Sequence, residues 1–226
     1  MGVRVQIYTA QTEEEAVAIA RRGVDHVGVT PSNLGLPGEV DLEAARAICD
    51  TLVGLSRSVA LSVATELDPI VGMAEAVRPD IVHLCGPPGA VGPDGVLALK
   101  REIGDAEIMQ AVAVTGPDAI DEARSFADVA DYLILDSIAP AIPGVGAAGT
   151  THDWEISAEI VAQVDVPVIL AGGLSPENVR EAIRRVRPWG VDSLTHTNRP
   201  LASGGFSKDL DLVEAFVAAA HGERSA

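Results

Sequence analysis

The chain has 226 residues, 47% of them hydrophobic, which suits one large domain or two small ones and excludes a disordered protein. Its 33 acidic residues against 16 Lys and Arg give a formal charge of -17, which repels a phosphate backbone and argues against nucleic acid as a partner. No apolar run approaches the roughly 18 residues of a membrane span, so the hydrophobic content is expected to line an internal core, with no membrane partner. Arg4 and Gln6 interrupt the apolar start of the chain, and the cysteines, Cys49 and Cys85, fall in different segments. Both features point to a reduced, cytoplasmic location. The acidic balance, with Lys100 and Lys208 as the only lysines, suits either a high-salt cytosol or a GC-rich genome.

Eight short β-branched runs follow one another: Val3 to Tyr8, His26 to Val29, Ser58 to Thr65, Ile81 to Cys85, Ile108 to Val112, Tyr132 to Asp136, Val166 to Ala171 and Gly190 to Thr195. Segments of helical spacing lie between them. After the first run, Thr12 and Glu15 form a capping-box signature and Gly23 closes the helix. Cys49 falls on a helix from Ala44 to Leu52, as a packing residue. In the seventh unit Ser175 reads as a cap and Pro176 as a first-turn residue, with Val179, Ile183 and Val186 on one face. A last helix runs from about Asp209 to Ala219.

This alternation predicts an α/β protein, a single-domain (β/α)8 TIM barrel over residues 1–226. A doubly wound open sheet is the rival, but Tyr8-Thr9-Ala10-Gln11-Thr12 lacks the glycines such a fold carries after its first strand. In a barrel the chemistry sits at the C-terminal ends of strands. Alternation then turns Gln6, Tyr8, His83 and Cys85 into the lumen and Val5, Ile7, Val82 and Leu84 outward.

Gly172 and Gly173 follow the seventh strand, where they allow backbone N–H groups to approach an anion; a tight strand-to-helix turn is the plainer reading. Thr195, His196 and Arg199 follow the eighth, and glycines, hydroxyls and cations grouped there suit a phosphate. Asp136 ends the sixth strand after an apolar run, where desolvation raises a carboxyl pKa and suits it to general acid work; capping its own loop is the alternative. Cys85 beside His83 offers a thiolate–imidazole base, against the reading of a small buried hydrophobe. Tyr8, with an ordinary pKa of about 10, serves more naturally as a hydrogen-bond donor. His26, His83, His152, His196 and His221 lack close ligand pairs, so no metal is expected.

Four segments, Leu133 to Asp136, Gly146 to Trp154, Leu170 to Val179 and Gly190 to Asp192, resemble in order and spacing the phosphoribosylanthranilate isomerase family. The resemblance extends from Val5 to Phe216. It implies a barrel of the ribulose-phosphate-binding type that performs an Amadori rearrangement without a cofactor. It also implies Asp136 as general acid, phosphate loops at Gly172, Gly173 and Gly149, and a sixth helix that His152-Asp153-Trp154 starts and packs. The chain departs from the family pattern at four places. Tyr8 stands where the family has its cysteine base, and the loop Pro31 to Glu39 lacks the family's arginine and carries Glu39, expected to repel a carboxylate. His83-Leu84-Cys85-Gly86 replaces Gln-Leu-His-Gly, and Leu194-Thr195-His196 replaces Ser-Ser-Gly.

Three functions stay open at this level. The first is an aldose–ketose isomerase for a phosphorylated sugar or sugar conjugate, the second a phosphosugar-binding barrel without catalysis, the third a phosphoribosylanthranilate isomerase with relocated groups. The expected partners are a small phosphorylated substrate and, as a homodimer, a second copy of the chain.

Overall fold

The computed structural model describes residues 2–138, 144–146 and 151–222. Eight strands close into a parallel barrel: β1 (Arg4–Ile7), β2 (His26–Val29), β3 (Arg57–Ser62), β4 (Ile81–Leu84), β5 (Glu107–Ala113), β6 (Tyr132–Asp136), β7 (Val168–Leu170) and β8 (Gly190–Ser193). They join in sequence order, and β1 pairs with both β2 and β8. The helices between them are α1 (Glu13–Ala20), α2 (Leu42–Leu52), α3 (Leu67–Val77), α4 (Pro93–Glu102), α5 (Asp118–Ala127), α6 (Trp154–Gln163), α7 (Val179–Val186) and α8 (Leu210–Ala220).

Strand alternation splits the core into two shells. Val5, Ile7, Val27, Val29, Val82 and Leu84 point outward and pack against the helices, together with Ile19, Ile48, Leu99 and Phe216. Burying each such side chain contributes about 1.5–3 kcal/mol, so the outer shell carries most of the fold's stability. Inside the barrel lie Tyr8, Val59, Ile81, Cys85, Met109, Ile134 and Ile169. At the N-terminal end His26, Tyr132 and Trp189 stack into an aromatic plug, with ring centroids 5.4–5.8 Å apart. That end is closed, so any ligand must enter from the C-terminal rim.

Local caps set the helix starts. The Thr12 hydroxyl accepts from Glu15 N–H at 3.1 Å, as the capping box requires, but the Glu15 carboxylate reaches one residue further back, to Gln11 N–H at 2.8 Å. Its other oxygen takes the Lys208 N–H. Asp153 caps α6 through Glu155 N–H, so His152-Asp153-Trp154 does open that helix. Cys49 is buried on α2, where it packs. The seventh helix starts later than its sequence suggests, at Val179, with Asn178 and not Ser175 in the capping position. The physical reason is a local turn: Asn178 Oδ1 accepts from Ser175 N–H at 2.8 Å, and Ser175 Oγ accepts from Glu177 N–H. These bonds hold residues 175–178 outside the helix.

A further element interrupts the last βα unit. A 3-10 turn at Thr195–Thr197 leads into an antiparallel hairpin of β9 (Asn198–Pro200) and β10 (Phe206–Lys208). Gln11 Nε2 donates to Phe206 O at 2.8 Å, tying the hairpin to the loop after β1.

Candidate active site

The strand ends converge on one cavity of about 580 Å³ at the C-terminal rim. Tyr8 and Thr9 reach it from β1, Leu61 and Val63 from β3, His83 and Cys85 from β4, Ile134 and Asp136 from β6, and Asp192 from β8. A smaller cavity adjoins it, lined by Gly172, Gly173, Leu174, Ser193, Thr195 and His196. Asp136, Asp192 and Leu194 line both, so the two compartments meet at the carboxylates.

Tyr8 fits in the lumen because of its neighbour on β2. A Cβ at Gly28 would overlap the Tyr8 ring, so only glycine at this position leaves room for it. The phenol shares a 3.0 Å hydrogen bond with His83 Nδ1. Burial raises the Tyr8 phenol well above its ordinary 10 and lowers His83 to about 3, so both stay neutral at pH 7. His83 Nε2 is buried without a protein partner among the described residues.

The thiolate–imidazole pair suggested by the sequence does not form. His83 is engaged with Tyr8, while the Cys85 thiol donates to Val145 O at 2.5 Å. Burial first, and the Asp136 carboxyl next, push Cys85 up to about 12, which leaves it a neutral thiol. Both residues line the cavity, on the lumen side where strand alternation places them.

Two carboxyls remain. Asp136 Oδ1 accepts from its neighbour Ser137 N–H at 2.6 Å, the loop-capping role, yet the side chain also faces both cavities. Burial, with a smaller push from Asp192, raises it from 3.8 to about 8. Glycines let the backbone close around it: a Cβ at Gly146 would lie 2.7 Å from Asp136 Oδ2, and one at Gly172 3.2 Å from Oδ1. Asp192 is the residue that sequence reasoning missed. Register makes it the direct neighbour of Gln6 across the β1–β8 seam, which turns it into the lumen. Burial raises it to about 7, opposed by the Gln6 amide and the Lys208 ammonium, and its Oδ1 has no partner among the described residues. The available signal was alternation along β8 once the barrel is closed.

The glycine turn keeps its amides available. Gly172 and Gly173 adopt φ of +81° and +62°, a region that favours glycine. Among the described residues no acceptor takes up the N–H groups of Gly172, Gly173 or Leu174. Thr195 and His196 stand beside this turn. Arg199 does not: it lies exposed on β9 and lines neither cavity, because the hairpin carries it away from the rim. Gly149 lies outside the described residues. Lys208, the other cation of this stretch, is buried, and its ammonium donates to Leu194 O, Thr197 Oγ1 and Asn198 Oδ1 at 2.6–3.1 Å. Burial lowers it to about 7.

Glu39 does not reach the cavity. Its carboxylate accepts from Ser32 Oγ and from the N–H groups of Leu34, Gly35 and Leu36 at 2.9–3.1 Å, and so folds its own loop. The expected repulsion of a ligand carboxylate by Glu39 is thereby corrected. No group of three or more His, Cys, Asp or Glu among the described residues is placed to hold a metal.

A closed parallel barrel with two lumen carboxyls beside a glycine turn whose amides are unpaired among the described residues defines the class: a (β/α)8 barrel with a carboxyl-lined cavity at its C-terminal rim. A family model for N-(5'phosphoribosyl)anthranilate (PRA) isomerase matches residues 5–219. The N-(5'-phosphoribosyl)anthranilate isomerase of Haloferax volcanii is 35% identical over 99% of this chain and 95% of its own. Among solved structures, a Thermotoga maritima chain described as a monomer generated from the dimeric isomerase superposes with TM-score 0.76 at 26% identity, covering 97% of this chain and 99% of its own. A phosphoribosyl anthranilate isomerase in complex with a reduced carboxyphenylamino-deoxyribulose 5-phosphate matches with the same score, identity and coverage. The chain belongs to the PRA isomerase family, whose members are intramolecular oxidoreductases.

Proposed function

We propose that this protein catalyses an Amadori-type aldose–ketose isomerisation of a phosphorylated aminosugar, with Asp136 as acid and Asp192 as base. One observation carries the reading. Of the titratable groups lining the main cavity, Tyr8, His83 and Cys85 are held neutral, and the two carboxyls alone are brought near neutral pH. Acid–base catalysis works best with pKa values close to the working pH.

In this mechanism protonated Asp136 donates to the ring oxygen as the C1–O bond breaks, and the nitrogen lone pair forms the C=N bond of an iminium. Ionised Asp192 removes the C2 proton, and the C–H electron pair becomes the C1=C2 bond of an enolamine. That species gains a proton at C1 and loses the O2 proton, giving the ketose with no redox partner. The phosphate sits against the amides of Gly172, Gly173 and Leu174, beside Thr195 and His196, where remote binding energy positions the reacting carbons. Tyr8, His83 and Cys85 act as neutral hydrogen-bonding groups that hold the sugar. A second copy of the chain is the proposed assembly partner, in line with the dimeric Thermotoga relative.

The test is turnover of a phosphoribosyl arylamine compared with its dephosphorylated counterpart. The phosphorylated compound should be isomerised with kcat/KM about a hundredfold higher or more, and inorganic phosphate should compete. Equal turnover of both, or none of either, overturns the reading.

A further inference from the structure

The main cavity shares part of its wall with a second hollow. Leu36, Leu61 and Val63 also line an outer groove of about 1180 Å³ between the loop after β2 and the start of α3. Its remaining wall includes Pro31, Leu34, Leu42, Pro69 and Met73. Leu34 and Leu42 are 64% and 45% exposed and lie on the same wall, so they form one apolar patch at the mouth of the groove. Neither lining contains a lysine or arginine among the described residues, and the sequence places no Lys, Arg or His anywhere in 31–40 or 138–150. The acidic groups lining the cavity and the groove are Asp136 and Asp192 inside and Asp41 outside, the last occupied in capping α2 through Ala44 N–H.

A ligand carboxylate entering this space would lose its hydration with no cation to meet it, and it would approach two carboxyls. An apolar group would instead cover Leu36, Leu61 and Val63 and continue outward over Leu34 and Leu42.

We infer that the groove is the subsite for the nitrogen substituent of the sugar conjugate, and that this substituent is uncharged, apolar and longer than a single ring. The inference rests on the lumen cavity being the isomerisation site. It separates this chain from its relatives by substrate class, because the anthranilate in their names carries a carboxylate.

Three phosphoribosyl conjugates test it, formed from ribose phosphate with anthranilate, aniline and para-butylaniline. The wild-type protein should isomerise the aniline conjugate with kcat/KM about tenfold or more above the anthranilate conjugate, and the butyl conjugate about tenfold above aniline. Leu42→Glu, at an exposed position that leaves folding intact, should bring the butyl-to-aniline ratio close to one. Leu36→Arg should raise use of the anthranilate conjugate relative to aniline. A preference for anthranilate, equal rates on all three, or a ratio unmoved by Leu42→Glu overturns the inference and leaves the isomerase reading standing. Turnover of none of the three overturns that reading, and the inference falls with it.

Discussion

Asp136 and Asp192 differ from ordinary surface carboxylates because burial denies their charged forms the water that would stabilise them. The reaction requires Asp192 ionised and Asp136 protonated. Activity should therefore rise as pH climbs through about 7 and fall as it climbs through about 8, with the two limbs belonging to the coupled pair. A pH profile of kcat/KM checks this. Asp136→Asn should lower kcat by roughly 10²–10⁴ and remove the alkaline limb, and Asp192→Asn should remove the acid limb. Stability carries the opposite signature from a salt-bridged carboxylate. The folded Asp136 keeps its proton between about 4 and 8 while the unfolded chain releases it, so stability is lost as pH rises through that window. Thermal melts should then find Asp136→Asn matching the wild type at pH 4 and exceeding it at pH 9 by on the order of 2 kcal/mol. Gly28 supplies a separate check on the lumen. Gly28→Ala should destabilise the fold by about 2 kcal/mol through collision with Tyr8, and the loss should shrink in a Tyr8→Cys background; denaturant titration of the four chains measures both.

At the scale of elements, what the sequence made legible follows from how strongly local chemistry dictates each piece. The β-branched runs marked all eight barrel strands, because strands of a parallel sheet covered on both faces are rich in apolar and β-branched residues even where a polar residue faces the lumen. The cap at Thr12 was legible because a capping box is a purely local pattern, whereas the start of α6 at Trp154 was legible through the family resemblance. The hairpin of β9 and β10 was not, since Asn198-Arg199-Pro200 and Phe206-Ser207-Lys208 carry no alternating pattern, and tertiary bonds to Gln11 and Glu15 hold them. Arg199 was misplaced as a consequence. Asp192 escaped notice because its role arises from the β1–β8 seam, a contact between the two ends of the chain. The hairpin makes its own prediction. Glu15→Ala leaves Lys208 N–H and Gln11 N–H without their acceptor, which should cost about 1–2 kcal/mol. Hydrogen exchange should quicken over residues 198–208 and stay unchanged in β3 to β5.

The whole molecule joins an aromatic plug at one end to an open cavity at the other, within a strongly acidic shell. A net charge of -17 sets surface carboxylates against one another at low ionic strength, and salt screens that repulsion. The melting temperature should accordingly rise between 0.1 and 2 M KCl, roughly the range over which the Debye length falls from about 10 Å to below 3 Å. The fold was legible as a barrel because eight units repeat. The acid–base pair was half legible, through Asp136, because closure of the barrel selects its partner.

The most direct measurement is the isotope content of the ketose formed from a phosphoribosyl arylamine in D2O. Proton removal from C2 by a carboxylate that exchanges with solvent, followed by protonation at C1, predicts one solvent deuterium at C1 of the product, with product formation slowed by roughly 10²–10⁴ in Asp192→Asn. A product free of solvent deuterium, or one formed at the wild-type rate by Asp192→Asn, would contradict the account.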